Sequence, residues 1–231
     1  YIDSDYSQRD LAKGTKINVG SIHYTLRKAG DKLREKFSED ASALVLTAIN
    51  FVNAYEESSE RIPEYHNASH FRDVLITVCH AFESQERRLS SAEVLGVVLA
   101  AILHDFGHPG RPADFPGEIE ALNVARVEDF FQATNFDGTS EATGICLRLI
   151  ESTSPSASEA LKSPLERMFN ACDVGPSFIT SHGLMQAENV AAELGVTKPE
   201  ICWKSFLTTW RGTPIEQPDF VDRWRIKSCY E

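Results

Sequence analysis

The stretch AEVLGVVLAAILHD (residues 92–105) decides the fold. Apart from Glu93, its first twelve residues are apolar on every side. That pattern belongs to a central buried helix, not to a surface helix with one apolar stripe. Ser90 or Ser91 is placed to cap it, with Glu93 in its first turn. The run then closes on His104 and Asp105, and Gly107, Pro109 and Gly110 force the chain to turn. A polar pair ending an apolar helix needs a partner, because burying an unpaired polar group costs roughly 2–7 kcal/mol. A divalent cation is one such partner, since imidazole nitrogen and carboxylate oxygen together suit zinc, manganese, iron and magnesium.

The neighbouring stretch PEYHNASHFRDVLITVCHAF (residues 63–82) adds His66, His70 and His80. With His104 and His108, five of the seven histidines fall in a window of 43 residues. His66 and His70 are four apart, so on a helix they would share one face. The helix is expected to start around Asn67 to Ser69, downstream of Pro63. His80 reads as a satisfied core histidine, and His23 and His182 as solvated or capping residues. Asp173, in NACDVG, ends another helix at a glycine. It is a candidate for a further ligand, and reads equally as a capping or paired helix-end aspartate.

Further out, helical spacing recurs. Residues 41–59 carry Leu44, Ala48, Phe51, Val52 and Tyr55 at three- and four-residue steps. Residues 117–134 place Ile119, Leu122, Val127, Phe130 and Phe131 on one side. Helices are also expected over 139–153, over 163–175 behind a Ser-Pro start, and over 182–195, ending at a glycine. No alternating strand longer than four residues and no internal repeat is visible. The expected fold is all-α: a compact helical domain over residues 1–231, its pattern weakening after GVTKP (195–199).

Composition narrows the function. The chain has 231 residues, 42% hydrophobic and 25% charged, an ordinary globular balance with room for one sizeable core. A net charge of −11 argues against nucleic acid as a partner, since neutralising phosphates takes Lys and Arg. Five scattered cysteines without a CxxC pair read as reduced thiols in a cytoplasmic protein. No apolar run of 18 residues is present, so no membrane insertion is expected. Nor is a signal peptide visible. The chain begins at Tyr1, which suggests a fragment of a longer protein.

YHNASHFRDV resembles the Y-H-N-x-x-H-x-x-D-V signature of the class I cyclic nucleotide phosphodiesterases. HDFGHPG resembles their H-D-x-x-H-P-G signature, and ACDVG their later A-D-[IL]-S segment, in the family's order. The two signatures together are specific, whereas H-D alone would mark only the wider His-Asp phosphohydrolase superfamily. The resemblance is clear over residues 60–112, continues to 194 and is poor over 196–231. It implies an all-α, metal-dependent hydrolase that converts cyclic AMP or cyclic GMP to the 5′-monophosphate in signalling. By the same resemblance, His70, His104, Asp105 and Asp173 would hold zinc. Asp105 would also bridge to a second ion, magnesium or manganese. His66 would be the general acid, His108 would sit beside the bridging water, Tyr65 would line the substrate pocket, and Asn67 would help fix the loop.

The chain departs from the family at several points. Ala113 stands where the family has Asn. ALNVA (121–125) stands where it has L-E-N-H-H, which sets Leu122 at the glutamate, with Glu118 and Glu120 as alternatives. The segment between Asp105 and Asp173 is short. For the purine, the family uses Gln followed three residues later by Phe. QPDF (217–220) has that spacing; SFLTTWRGTP (205–214) has the better context but puts Trp203 at the Gln. Two other readings therefore stay open: a His-Asp phosphohydrolase acting on another nucleotide, such as a nucleoside monophosphate, and a non-catalytic nucleotide-binding relative.

Overall fold

A computed structural model describes residues 38–84, 89–134, 140–154, 162–178, 180–202 and 204. The fold is all-α, with no strand among the described residues. In order come α1 (Glu39–Ser58), α2 (Ala68–Ser84), α3 (Ser91–Leu103), α4 (Glu118–Ala133), α5 (Glu141–Ser152), α6 (Pro164–Val174), a 3₁₀ turn (Gly175–Phe178) and α7 (Thr180–Glu193). His23, Trp203 and residues 205–214 and 217–220 lie outside the described residues, as do the side chains of His80 and His182.

α3 is the hub. Every residue from Leu95 to Leu103 is buried, and α1, α2 and α5 pack around it. A helix with no polar face can only be covered on all sides, so its neighbours follow from its composition. Its start is fixed by a capping box: Glu93 N donates to Ser90 Oγ at 3.1 Å and Ser90 N to Glu93 Oε2 at 2.8 Å. α6 starts the same way, from Ser163 and Glu166 with Pro164 at the first helical position.

Two stripes differ from the sequence expectation. On α1 the buried set is Leu44, Val45, Ala48, Ile49 and Val52, while Phe51 and Tyr55 are partly exposed. Those two rings lie along the core's edge, against Phe106 at 4.8 Å each. On α4 the buried face is Ile119, Asn123, Val127, Phe130 and Phe131, and Leu122 is 40% exposed. Asn123 thus occupies the inward position between Ile119 and Val127.

Contact between α3 and α5 is close at Gly96. A Cβ there would lie 2.6 Å from Ile145 Cγ2 and 2.9 Å from the Ala142 carbonyl oxygen. Helix propensity alone favours Ala by about 1 kcal/mol, but overpacking costs about 1–3 kcal/mol. Gly96→Ala is therefore expected to lower the melting temperature by a few degrees; a rise would show that the two helices have room to part.

Candidate functional site

The site forms where four segments meet: the loop before α2, the turn after α3, the end of α6, and the end of α7. Asn67 fixes the first. Its Nδ2 donates to Pro63 O at 2.8 Å and Glu64 O at 2.9 Å, and its Oδ1 accepts from Ser69 N. Glu56 of α1 accepts from Ala68 N at 2.6 Å and so caps α2. Because α2 begins only at Ala68, His66 lies ahead of the helix and His70 inside it. The two rings stand 6.1 Å apart and nearly perpendicular, not side by side on one helical face.

His70, His104, Asp105 and Asp173 converge. His70 Nε2 and His104 Nε2 are 3.1 Å apart. Asp105 Oδ2 is 3.1 Å from His104 Nε2 and 3.5 Å from His70 Nε2. Asp173 Oδ1 is 3.2 Å from His70 Nε2 and 3.4 Å from His104 Nε2. Both histidines are buried. Ligand atoms 2.0–2.2 Å from one divalent ion stand about 3.0–3.5 Å from their neighbours, so the spacing fits an ion among these four residues. The electrostatics fit as well. Burial by itself would lower the pKa of His104, yet the Asp105 and Asp173 carboxylates outweigh it and hold His104 up to about 10. Burial would raise Asp105, but the His104 charge holds it well below the usual carboxylate range. The carboxylates thus draw positive charge into a buried place, which a divalent cation supplies.

A second group lies alongside. Glu193, at the end of α7, accepts from Tyr65 N at 2.5 Å and His66 N at 2.8 Å on Oε1, and meets His66 Nδ1 at 2.7 Å on Oε2. His66 Nε2 is thereby the nitrogen left for a ligand. The His108 ring stacks on His66 with centroids 3.6 Å apart. Gly110 N donates to His108 Nδ1 at 3.1 Å, which fixes its neutral tautomer with the proton on Nε2. Burial, and then the nearby His66, push the His108 pKa down to about 4, so it stays neutral at pH 7. His66, His108 and Glu193 also carry ligand-type atoms within 4.8 Å of one another. Both Glu193 oxygens already have partners, however, on Tyr65 N, His66 N and the His66 ring.

Tyr65 packs its ring on His70, with centroids 4.6 Å apart, and its hydroxyl bonds Ser177. Burial, then the Asp173 charge, raise its pKa well above 10, so it remains a neutral donor. The cavity over these groups has a volume of about 740 Å³ and is lined by His66, Asp105, His108, Glu120, Asp173 and Glu193, among others. Glu120 lines this cavity, and Leu122 and Glu118 do not. Burial, then the Asp105 charge, raise the Glu120 pKa.

All seven residues singled out from the sequence are therefore neighbours here. Sequence reasoning missed Glu193 and Asn123. Nothing local marks Glu193. Asn123 had a signal: a polar residue in an apolar stripe, four from Ile119 and four from Val127.

Residues 65–125 match the family model described as 3′5′-cyclic nucleotide phosphodiesterase. A 3′,5′-cyclic-AMP phosphodiesterase 4 from Dictyostelium discoideum is 36% identical over 78 residues, which are 33% of this chain and 8% of that relative. The matched segment thus spans a small part of the relative's length. No solved structure matches the chain significantly. No helix among the described residues is long and apolar enough to cross a membrane.

Proposed function

We propose that this chain, whose residues 65–125 match the 3′5′-cyclic nucleotide phosphodiesterase family model, hydrolyses a 3′,5′-cyclic nucleotide to its 5′-monophosphate. The observation that carries the reading is the convergence of His70, His104, Asp105 and Asp173 beside the His66–Glu193 pair in one cavity. Divalent ions held by His70, His104, Asp105 and Asp173, zinc with magnesium or manganese in this reading, would neutralise the phosphoryl oxygens and lower the pKa of water toward ~7. The cavity needs that charge. Its described lining carries Asp105, Asp114, Glu120, Asp173 and Glu193, and its one permanent cation, Arg111, is paired with Glu118 at 2.7 Å. An anionic diester would otherwise meet repulsion.

The chain's own groups then divide the work. Hydroxide attacks phosphorus and the P–O3′ bond breaks, leaving an alkoxide that requires a proton. His66 gives it from Nε2, while Glu193, bonded to Nδ1, holds the ring in place. His108, neutral, offers its Nε2–H as a donor to an oxygen in the cavity. Tyr65 holds the His70 ring in orientation.

The test is turnover of cyclic AMP, cyclic GMP and adenosine 5′-monophosphate by the chain in zinc and magnesium. Release of monophosphate from either cyclic nucleotide is expected. Hydrolysis of the monophosphate alone would favour the wider superfamily, and binding without turnover a non-catalytic relative. Chelation offers a further check. An ion held by residues of α2, the α3 turn and α6 would tie these segments together, so its removal should destabilise the fold. At an ion concentration 100-fold above Kd the loss is about 2.7 kcal/mol, or about 5–10 °C in melting temperature for a chain of this size. An unchanged melting curve after verified removal would contradict a shared centre.

A further inference from the structure

The turn that carries His104 and Asp105 is gripped from outside by α4. A helix leaves its last carbonyls without intrahelical partners. Asn123 Nδ2 donates to the His104 carbonyl oxygen at 2.8 Å and stands 3.5 Å from Asp105 Oδ1. One turn along the same face, Arg126 Nη1 donates to the Gly107 carbonyl oxygen. Gly107 has φ +71°, and a Cβ there would lie 2.9 Å from Arg126 Nη1, so the guanidinium sits directly against the backbone. Both ends of the turn His104-Asp105-Phe106-Gly107 are held by residues three apart on α4.

The two Asp105 oxygens face different ways. Oδ2 is 3.1 Å and 3.5 Å from the two imidazole nitrogens, and Oδ1 faces Asn123. Since Asn123 sees two acceptors, its NH₂ must point at them, and its own Oδ1 is left buried without a partner. Burying an unpaired amide oxygen is unfavourable. Asn123 is also wholly buried. A leucine would fill the same face of α4 without that orphaned oxygen, so packing alone does not call for an asparagine here.

We infer that Asn123 is a positioning residue of the candidate metal centre: one amide sets the His104 backbone and the Asp105 carboxylate together, and Arg126 holds the far end of the turn. This rests on reading His70, His104, Asp105 and Asp173 as a metal centre. No reacting atom touches Asn123; it acts through Asp105.

The experiment is zinc affinity by chelator competition on the whole chain, wild type against Asn123→Leu, with melting of the metal-free forms measured in parallel. Loss of such an outer partner typically weakens metal binding about 10–100-fold. Asn123→Leu is expected to bind zinc that much more weakly while its metal-free melting temperature stays within a few degrees of wild type. Arg126→Met, which keeps the stem and removes the guanidinium, should also weaken zinc by the same route, and carries the test if Asn123→Leu does not fold. Zinc affinity within twofold of wild type in the folded variant would overturn the proposal while leaving the metal centre standing. Failure of the wild type itself to bind zinc would overturn both.

Discussion

A chain carrying His104→Ala is expected to hold no ion at the centre and to hydrolyse no cyclic nucleotide above background. His104 Nε2 lies within 3.1–3.4 Å of His70, Asp105 and Asp173, so its removal deletes a nitrogen that meets each of the other three candidate ligands. The effect should exceed the about 10–100-fold cost of losing an outer partner, because a ligand itself is gone. Full metal occupancy by elemental analysis would refute the assignment. His104 also packs between Phe71 and Phe169, so melting of the metal-free protein must be compared to separate lost metal from lost packing. That comparison has a signed pH dependence. With no ion present, the folded pKa of His104 is about 10, above the unfolded value of about 6.5. Its stabilising contribution is therefore fully present below about pH 6.5 and is lost as the pH rises through about 10. The melting gap between metal-free wild type and His104→Ala should be wider at pH 6 than at pH 10, and a gap that widens with pH would show the sign to be wrong.

His66→Ala is expected to keep its metal and bind substrate, yet lose turnover by about 10²–10⁴-fold, the usual contribution of a positioned acid. The deficit should shrink for a nitrophenyl phosphodiester, whose leaving group departs without a proton. His70→Ala, by contrast, should lose metal and fail on both substrates. Glu193→Gln belongs with His66→Ala: its oxygens bind the His66 ring and two backbone N–H groups, not the other histidines. The readout is metal content together with turnover on both substrates, for each variant. Equal loss on both, with metal gone from His66→Ala, would make His66 a ligand. His108 would then be the next candidate for the acid.

The nearness of His70, His104 and Asp105 was legible because they sit in short, dense stretches and a His-Asp pair at the end of an apolar helix requires a partner, whereas Asp173 was open on its residues alone and joined them only through the resemblance. Helix starts at Ser90 and Ser163 were legible because a capping box is local chemistry. What escaped depended on rotation or distance. Leu122 was set inward, but the face of α4 is turned by one residue, so Asn123 is buried and Leu122 exposed. Phe51 and Tyr55 fit the helical spacing of α1 and yet lie at the rim, since an apolar stripe is wider than the groove that receives it. His66 and His70 share a four-residue spacing, but the helix starts between them. Glu193 is an ordinary helix-end acid until the chain folds back to His66.

That last contact has a kinetic side. His70 and His104 are 34 residues apart, whereas His66 and Glu193 are 127 apart. Closing a longer loop costs more entropy, and non-local pairings form slowly. Asp173, however, is 103 residues from His70, nearly as far as Glu193 is from His66, so refolding should regain zinc capture and hydrolysis together in a stopped-flow assay. A lag of hydrolysis behind zinc capture would mean that the centre and its acid assemble in separate steps.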